Sequence, residues 1–591
     1  MWQFWYHREE CHLVSLMLMP LVSIQRVALM VLLHVATPGT GLPTSVPCIQ
    51  CPSNTCRVNC AHDLGILNDT SVGQCVPCQE KHTIDDVVHV DINVPPVSSI
   101  PSLHSLKLGL NAISGTWCPC WDDQRPCKAG PFNATDDIVQ LNPSLVRTHD
   151  TLLLDPLIYQ QGHVPWGVRV LNWNNMFPDL QADPHNTSNY NFSNADRWME
   201  QWDNLGIPRL LRLGTSVNQG TDVTNITSME VETLSEAFLH FVMHFNDGWG
   251  GGNRNNNTLK IQYIEVWNEP EGKFWSGSTE TLHLLLYKTI HKIRAYDETL
   301  YVGPNNACPY GDCTNDPTHS DEGYEFDALD AIIAASSNAS LLPNIYSWHE
   351  YIYQNPMLTN RLFGTVANRL SSRNVSTTQQ IITEWNPCAD GACGQPEMIN
   401  AWAAADFGQT VAVHSLLGVN VSMPYPLCAV NKDWGLLSTA QVDAHTLFWR
   451  PQAHAFQMMA DVLTVTPYSF QVQLFPTFSS NVSPYFGVGY VNANRTQINV
   501  VYASRMSNVT QRRQQVLVSL KGFKSGDTFN VSCFVIDDYG GSQMTAPRSN
   551  VQIGSTETIR VGMNGTIDFP HSYPGRTPSL MQLKIVQLVS T

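Results

Sequence analysis

Two glutamates end strand-like apolar runs and together could cleave a glycosidic bond. Glu269 follows the run 261–267, and Glu384 follows the run 380–383. Retaining glycoside hydrolysis needs two facing carboxyl groups about 5–5.5 Å apart, one protonated to release the leaving oxygen and one ionised to attack the anomeric carbon. Burial and mutual repulsion separate the pKa values of such a pair, so both roles coexist at one pH. Alone, each glutamate could be a solvated or salt-bridged strand-end residue, and the Asn-Glu-Pro turn at Glu269 could be a helix N-cap turn.

The elements that must carry these glutamates alternate between strand and helix patterns over roughly 330 residues from about Lys107. Such alternation predicts a parallel sheet closed by helices, and its size suits a (β/α)8 TIM barrel with insertions. The glutamates are 384 − 269 = 115 residues apart, which leaves room for about three βα units. We therefore expect Glu269 at the end of the fourth strand and Glu384 at the end of the seventh, both at the carboxyl-terminal face.

The sequence pattern divides the chain into four segments. Beyond about residue 460, short runs rich in β-branched and aromatic residues alternate with polar turns, a pattern typical of an antiparallel β-sandwich. We predict a signal peptide (1–41), a Cys-rich segment (42–82), the α/β catalytic barrel with its leading strand (83–455) and a β-sandwich domain (456–591).

The N-terminus has the pattern of a secretory signal peptide. Arg26 precedes the apolar run 27–36, which is followed by the small and turn-forming residues 37–41. A retained signal anchor is the alternative, although the uninterrupted run is shorter than the ~20 residues of a membrane span. No later segment approaches that length, so no stable membrane span is expected.

Glycosylation sequons also favour the secretory pathway. The chain carries fourteen Asn-x-Ser/Thr sequons between Asn68 and Asn564, so attached N-linked glycans are expected. The protein is therefore predicted to be secreted or lysosomal.

The cysteines are clustered, as in disulfide-stabilised secreted proteins. Six of them between Cys48 and Cys78 predict a small segment stapled by three disulfides, with a zinc ribbon as the alternative. Cys118 lies near the end of the predicted first barrel strand, where a bridge could shape the rim of the cleft. Two further pairs stand five residues apart in loop-like sequence and are expected to form local bridges: Cys308 with Cys313, and Cys388 with Cys393.

The acidic charge of the chain argues against nucleic acid as a partner. Lys and Arg total 33 against 50 Asp and Glu, a formal net charge of −17, which would repel phosphates. The sequence contains no P-loop, dinucleotide fingerprint or His-rich metal motif. Hydrolysis by two carboxyl groups needs no metal and no organic cofactor, and the expected partner is an oligosaccharide or polysaccharide substrate.

These motifs resemble the clan of (β/α)8 retaining glycosidases and, more closely, glycoside hydrolase family 39, which holds β-xylosidases and α-L-iduronidases. In the clan an acid/base glutamate follows an Asn at the end of strand 4, matched here by Asn268 and Glu269, and Glu384 matches the strand-7 nucleophile. The family resemblance covers about residues 85–450 and rests on three further segments: Val-His-Val-Asp at 88–91, Val-Arg-Thr-His at 146–149 and Tyr-Asn-Phe at 190–192.

The resemblance implies roles for four further residues. Asn268 would bind the sugar 2-hydroxyl, a contact that strengthens in the transition state. His149 and His349 would line the pocket for the glycone, and Arg147 would lie under the nucleophile and help keep it ionised. The alternatives are a hydrogen-bonded structural role for each His and a structural ion pair for Arg147.

Two positions of the predicted pocket bear on the substrate. Iduronidases carry a Lys where this sequence has Tyr351, and Trp385 follows the nucleophile in a context closer to the Thr-Glu-Phe-Asn pattern of xylosidases. We expect both Tyr351 and Trp385 to contact substrate. Without a cation at position 351 a uronic acid would be poorly neutralised, so the resemblance implies a β-xylosidase-like enzyme for a neutral sugar. The alternatives are an α-L-iduronidase-like exo-glycosidase on glycosaminoglycans and a non-catalytic carbohydrate-binding barrel.

Overall fold

A computed structural model describes most of the barrel and of the C-terminal sheets. The predicted signal peptide, nearly all of the Cys-rich segment and the two predicted local cysteine bridges lie outside the described residues. The described residues are 55–57, 75–77, 86–96, 105–112, 115–118, 121–122, 125–126, 132–149, 152–153, 168–169, 171–215, 226–252, 259–270, 274–275, 277–306, 324–351, 356–386, 401–428, 435–438, 447–475, 485–504, 514–521, 523, 526–536, 552–561, 567–573 and 579–588.

Eight parallel strands close into a barrel, which confirms the predicted TIM-barrel fold. Each strand pairs with the next in the chain, and the last pairs with the first through Val421 opposite Lys107. In chain order the strands are β1 (Lys107–Ala112), β2 (Leu145–Thr148), β3 (Arg209–Leu213), β4 (Tyr263–Val266), β5 (Tyr301–Asn306), β6 (Ile345–Glu350), β7 (Gln379–Trp385) and β8 (Val421–Pro424).

Helices connect and cover the barrel strands. One of them begins after Thr227, whose side chain and that of Glu230 bond each other's backbone N–H groups, so two otherwise unpaired donors are satisfied. The helices are α1 (Thr135–Leu141), α2 (Trp173–Met176), α3 (Ser193–Leu205), α4 (Ser228–Asp247), α5 (Thr279–Tyr296), α6 (Tyr324–Ala335), α7 (Pro356–Ser372), α8 (Ala401–Leu417) and α9 (Pro451–Val465), with 3-10 turns at Thr187–Asn189, Trp249–Gly251 and Ala339–Leu341.

Side chains inside the barrel change from apolar to polar along its axis. Strand side chains alternate between the two faces, so the inward residue of one layer is followed two positions later by the inward residue of the next. The lower layer is an apolar cluster of Leu145, Leu210, Tyr263, Ile345, Ile381, Val421 and Met423. Two positions further along four of these strands, the buried residues are Arg147, Glu265, Ser347 and Thr383. Toward the carboxyl-terminal ends of the strands, the interior of the barrel is therefore a polar layer that packs on an apolar one.

The C-terminal region forms two sheets, as predicted for a β-sandwich. Its strands are β9 (Tyr468–Gln471), β10 (Gln473–Phe475), β11 (Tyr485–Val491), β12 (Gln497–Ser504), β13 (Gln514–Lys521), β14 (Thr528–Ile536), β15 (Gln552–Arg560), β16 (Ile567–Tyr573) and β17 (Ser579–Leu588). One sheet has the order β9-β11-β12-β17-β14-β15, and it packs on α8, where Leu580 lies against Gly408.

The strand Asp86–Asn93 differs from its predicted place at the start of the barrel. It joins the second C-terminal sheet, between β10, which runs antiparallel to it, and β13, which runs parallel to it. The second C-terminal sheet thus includes a strand that precedes the barrel in the chain. The predicted boundary between residues 455 and 456 falls inside α9, which continues to Val465.

Short two-stranded ribbons complete the described secondary structure. They pair Thr55–Arg57 with Cys75–Pro77, Trp117–Cys118 with Phe132–Asn133, Trp121–Asp122 with Arg125–Pro126, Leu152–Leu153 with Val168–Arg169, and Leu437–Ser438 with Phe448–Trp449. Within the part of the chain that is described, no helix is both long and apolar enough to cross a bilayer.

Candidate active site

The two glutamates face each other at the carboxyl-terminal end of the barrel. Glu384 is the next-to-last residue of β7, and Glu269 follows β4 by three residues. One carboxylate oxygen of Glu269 lies within 4.8 Å of one of Glu384. A contact this close between nearest oxygens suits the carboxyl separation of about 5–5.5 Å that retaining hydrolysis uses.

The turn after β4 presents Glu269 through a constrained backbone. Trp267 and Glu269 have positive φ angles of 72° and 40°, a conformation that non-glycine residues rarely adopt and that clusters at functional sites. The Trp267 backbone N–H donates to the Leu213 carbonyl at 3.0 Å, and its indole lies where a side chain on Gly214 would be. The Glu269 backbone N–H donates to Asn305 Oδ1 at 2.8 Å. These contacts hold the turn that aims Glu269 at the cleft.

Glu384 is surrounded by hydrogen-bond donors. Arg147 lies 2.5 Å and His149 3.2 Å from its Oε1, and the Tyr351 hydroxyl donates to its Oε2 at 2.6 Å. Burial would raise the pKa of Glu384, but the charges of His349 and Arg147 and the hydrogen bond from His149 hold that pKa well below its usual value. Glu384 is therefore ionised across the range in which an ordinary glutamate titrates.

Glu269 has fewer hydrogen-bond partners than Glu384, and its side chain is more exposed to solvent. Its side chain is 22% exposed, against 6% for that of Glu384. His349 Nδ1 lies 2.6 Å from Glu269 Oε1, and the other ring nitrogen, Nε2, lies 3.0 Å from Asn305 Nδ2. Burial lowers the pKa of His349, but the negative charges of Glu384 and Glu269 outweigh burial and raise it.

Arg147 is buried against Glu384. Its guanidinium is fully buried and reaches Glu384, Glu265 Oε2 at 2.6 Å, Asn268 Oδ1 at 2.8 Å and Asn111 Oδ1 at 3.1 Å. Burial opposes its charge, but the adjacent carboxylates of Glu265 and Glu384 raise the pKa of Arg147 above its usual value. One cation thus holds two carboxylates and fixes the amide orientation of Asn268.

Glu265 is a site residue that sequence reasoning missed. It is fully buried in the polar layer, and its Oε1 accepts hydrogen bonds from Ser347, from Thr383 at 2.7 Å and from Asn305 at 2.8 Å. Burial raises its pKa, but the charges of Arg147 and the nearby imidazole outweigh burial and lower it. The available signal was its spacing, because Glu265 lies four residues before Glu269 and on the inward face of β4.

Trp385 does not join the pocket, which corrects its prediction as a substrate contact. The pairing of β7 shifts register at Thr383, so the adjacent residues Thr383 and Glu384 both face the barrel interior and the indole of Trp385 turns to the opposite face of the sheet. There the indole nitrogen donates to Ser422 Oγ at 2.9 Å, and the ring packs against Phe407 at 4.8 Å and His414 at 5.8 Å. Trp385 therefore joins β7 to the outer helices.

A disulfide joins the connections that follow β1 and β8, the two strands whose pairing closes the barrel. Cys118, in the connection after β1, is bonded to Cys428, in the connection after β8, over a sequence separation of 310 residues. Asn111 of β1 also links these strands, since its side-chain nitrogen donates to the Pro424 carbonyl of β8 at 3.3 Å and to the Thr383 carbonyl of β7 at 2.6 Å. The bridge expected near Cys118 is present, and its partner comes from the far end of the barrel domain.

Two groups among the described residues offer three metal-ligating side chains each. In the first, Glu269, His349 and Glu384 bring one donor atom each within 4.8 Å of the others. Arg147 opposes a cation there, because its charge lies 2.5 Å from Glu384 Oε1. The second group, His185, Glu236 and His240, includes no residue of the pocket.

The barrel with its C-terminal β-sandwich is an architecture shared with solved glycoside hydrolases. A glucosidase from Croceicoccus marinus matches at 15% identity and a TM-score of 0.57, covering 85% of this chain and 99% of that one. A GH39 enzyme from Xanthomonas axonopodis pv. citri matches at 13% identity and 0.53, covering 86% and 98%. The bacterial orthologue of human α-L-iduronidase matches at 10% identity and 0.56, covering 86% and 85%.

These likenesses concern the fold. Because enzymes of different specificity match to a similar degree, they do not single out family 39. Neither a protein-family model nor a curated protein matches the chain.

Proposed function

We propose that this protein is a retaining glycoside hydrolase in which Glu384 is the nucleophile and Glu269 the general acid and base. The observation that carries the proposal is the facing carboxyl pair, with oxygens within 4.8 Å, at the carboxyl-terminal end of a TIM barrel. Two carboxyl groups this close suit a double displacement through a glycosyl-enzyme intermediate.

The surroundings of the two glutamates support this division of roles. A nucleophile must be ionised, and Arg147, His149 and Tyr351 all contact the carboxylate of Glu384. A general acid must be able to bind and release a proton, and Glu269 is the more solvent-exposed of the two. In this mechanism Glu269 protonates the glycosidic oxygen while Glu384 attacks the anomeric carbon, and Glu269 then deprotonates the water that releases the sugar.

A neutral glycone fits this pocket better than a uronic acid. The residue that would replace the iduronidase Lys is Tyr351, whose hydroxyl already donates to Glu384. Arg147 is fully buried and engaged by Glu265, Glu384 and Asn268. A β-xyloside-like neutral substrate is therefore the first candidate. The fold shared with the iduronidase orthologue makes α-L-iduronide the second.

A panel of aryl glycosides, including β-xyloside, β-glucoside and α-L-iduronide, tests the proposed activity. Turnover of a neutral glycoside that is lost in both Glu269→Gln and Glu384→Gln supports the proposal, and turnover of the iduronide alone favours the second candidate. A chain that binds glycans but turns over no member of the panel would be a carbohydrate-binding barrel, and the proposal would fail.

We also propose passage through the secretory pathway, to the cell exterior or to lysosomes, with N-linked glycans attached. Six sequon asparagines of the described chain are exposed, which supports this proposal: Asn133, Asn186, Asn191, Asn338, Asn374 and Asn494. The test is to recover the protein from the medium or from lysosomes and to measure whether its mass falls when N-linked glycans are removed enzymatically. Unglycosylated protein found in the cytosol would contradict the proposal.

A further inference from the structure

A second cluster of ligating side chains lies away from the pocket, between α4 and the segment that precedes α3. Glu236 and His240 lie four residues apart on α4, and His185 comes from the preceding segment. One donor atom of each lies within 4.8 Å of those of the other two. None of the three contacts Glu269 or Glu384 among the hydrogen bonds and ion pairs of the described residues.

The hydrogen bonds around His240 leave the nitrogen that faces Glu236 able to bind a metal. The Tyr190 hydroxyl donates its proton to the Pro184 carbonyl at 2.7 Å, so its oxygen accepts from His240 Nδ1 at 3.2 Å. With the proton on Nδ1, His240 Nε2 carries a lone pair, and it lies 3.8 Å from Glu236 Oε1. A metal-binding imidazole is commonly held by such a hydrogen bond from its other nitrogen.

The ring of His240 is also held in orientation. It is stacked on the Trp249 indole at a centroid distance of 4.1 Å and an interplanar angle of 5°. His240 itself is 5% exposed, whereas His185 is exposed and its ring centroid lies 5.3 Å away, nearly perpendicular. The cluster thus joins one fixed, buried ligand to one that solvent can reach.

Glu236 supplies the negative charge of the cluster. Lys292 contacts its other oxygen, Oε2, and so opposes a cation, but Lys292 is shared with Glu232 at 2.8 Å. Oε1 of Glu236 points instead to His240, and 3.8 Å is too long for a hydrogen bond. The space between these atoms is consistent with a bridging ion.

We propose that His185, Glu236 and His240 bind a divalent first-row transition ion, represented by Zn²⁺, with water in the remaining position. Two imidazoles and one carboxylate are a ligand set that Zn²⁺ takes, with bonds of about 2.0–2.2 Å and ligand atoms therefore roughly 3.4 Å apart. The three donor atoms lie within 4.8 Å of one another, so binding would draw them together, and the exposed side chain of His185 can move toward the other two. The ion would join the segment before α3 to α4 and stabilise the native barrel.

Metal titration of the chelator-stripped full chain tests this site. Zn²⁺ is titrated by calorimetry, Co²⁺ by its visible absorption, and Tm is measured with and without Zn²⁺. The variants are His185→Gln, chosen because the residue is exposed, and Glu236→Gln. His291→Gln on α5 is the matched control, because His291 belongs to neither metal-ligating group.

We expect both cluster variants to bind one metal equivalent fewer than the wild type and to lose a rise in Tm that the control retains. Unchanged stoichiometry in both cluster variants would overturn the proposal. So would loss of that equivalent in Glu384→Gln, which would place the ion in the pocket. Hydrolysis of aryl glycosides does not enter these measurements, so this site and the proposed activity can fail separately.

Discussion

The hydroxyl of Tyr351 provides a quantitative test of how Glu384 is held. It donates a 2.6 Å hydrogen bond to Glu384 Oε2. Burial and the neighbouring charges of Glu384 and Glu269 raise the pKa of Tyr351 well above its usual value, so this hydroxyl remains a donor. Tyr351→Phe removes the donor and leaves the ring.

The expected effect follows from the strength of a hydrogen bond to a charged group. Such a bond contributes about 1.5–3 kcal/mol, which corresponds to about 1–2 pKa units on Glu384 or about 10–150-fold in rate. Because the donor stabilises the ionised form, losing it raises the pKa of Glu384. The acid limb of kcat/KM against pH therefore moves to higher pH.

The variant should also slow the second step more than the first. Glu384 regains its negative charge as the glycosyl bond breaks, so a donor to its oxygen stabilises that transition state. We expect a slower steady state preceded by a burst of aryl alcohol, measured by stopped-flow absorbance.

Tyr301→Phe is the matched control, because Tyr301 stacks on Tyr263 in the lower part of the barrel at 4.8 Å. An acid limb of Tyr351→Phe that coincides with that of the control would show that this hydroxyl does not stabilise the ionised form of Glu384.

Three further predictions concern the buried carboxylate of Glu265, the disulfide between Cys118 and Cys428, and two glycosylation sequons. Glu265→Gln leaves Arg147 with one carboxylate fewer and should lower stability by about 3–5 kcal/mol near neutral pH. Burial raises the pKa of Glu265, but the charge of Arg147 outweighs burial and lowers that pKa below its usual value. The stability that the ionised carboxylate contributes is therefore lost as pH falls, and the difference in Tm between wild type and variant should close in acid. A difference in Tm that does not change with pH would contradict this. Cys118→Ser opens a bridge over 310 residues and should cost about 2–4 kcal/mol, seen as a lower Tm, whereas an unchanged Tm would show that the bridge adds no stability. Asn338 is exposed and should carry a glycan, whereas Asn420 is 9% exposed and should not; peptide mass spectrometry that finds Asn420 occupied contradicts the packing described here.

The strands that carry the glutamates could be predicted from the sequence because their cause is local. Strand-like runs lead up to each glutamate, and their separation predicted about three βα units between them, which agrees with the positions of Glu269 after the fourth strand and Glu384 in the seventh. Arg147 and His149 were found through the resemblance, and both lie against Glu384.

The remaining features depend on closure of the barrel. Glu265 acquires its partners only when β6 and β7 bring Ser347 and Thr383 beside it. Trp385 was misplaced because β7 shifts register at Thr383, and a short motif does not reveal which face each residue takes after such an irregularity. The pairing of Cys118 and the transfer of the strand Asp86–Asn93 to the C-terminal sheet join residues hundreds of positions apart, beyond the reach of local periodicity.

In the proposed mechanism Glu384 becomes glycosylated during turnover. The most direct measurement uses a 2-deoxy-2-fluoro glycoside of the accepted glycone with an activated leaving group, followed by intact-mass and peptide analysis. The fluorine slows both steps, and the activated leaving group lets the intermediate form faster than it decays. The proposed mechanism predicts one added sugar per chain, attached to the peptide that contains Glu384 and absent from Glu384→Gln. A sugar attached elsewhere, or hydrolysis of the substrate with inverted configuration and no adduct, would contradict it.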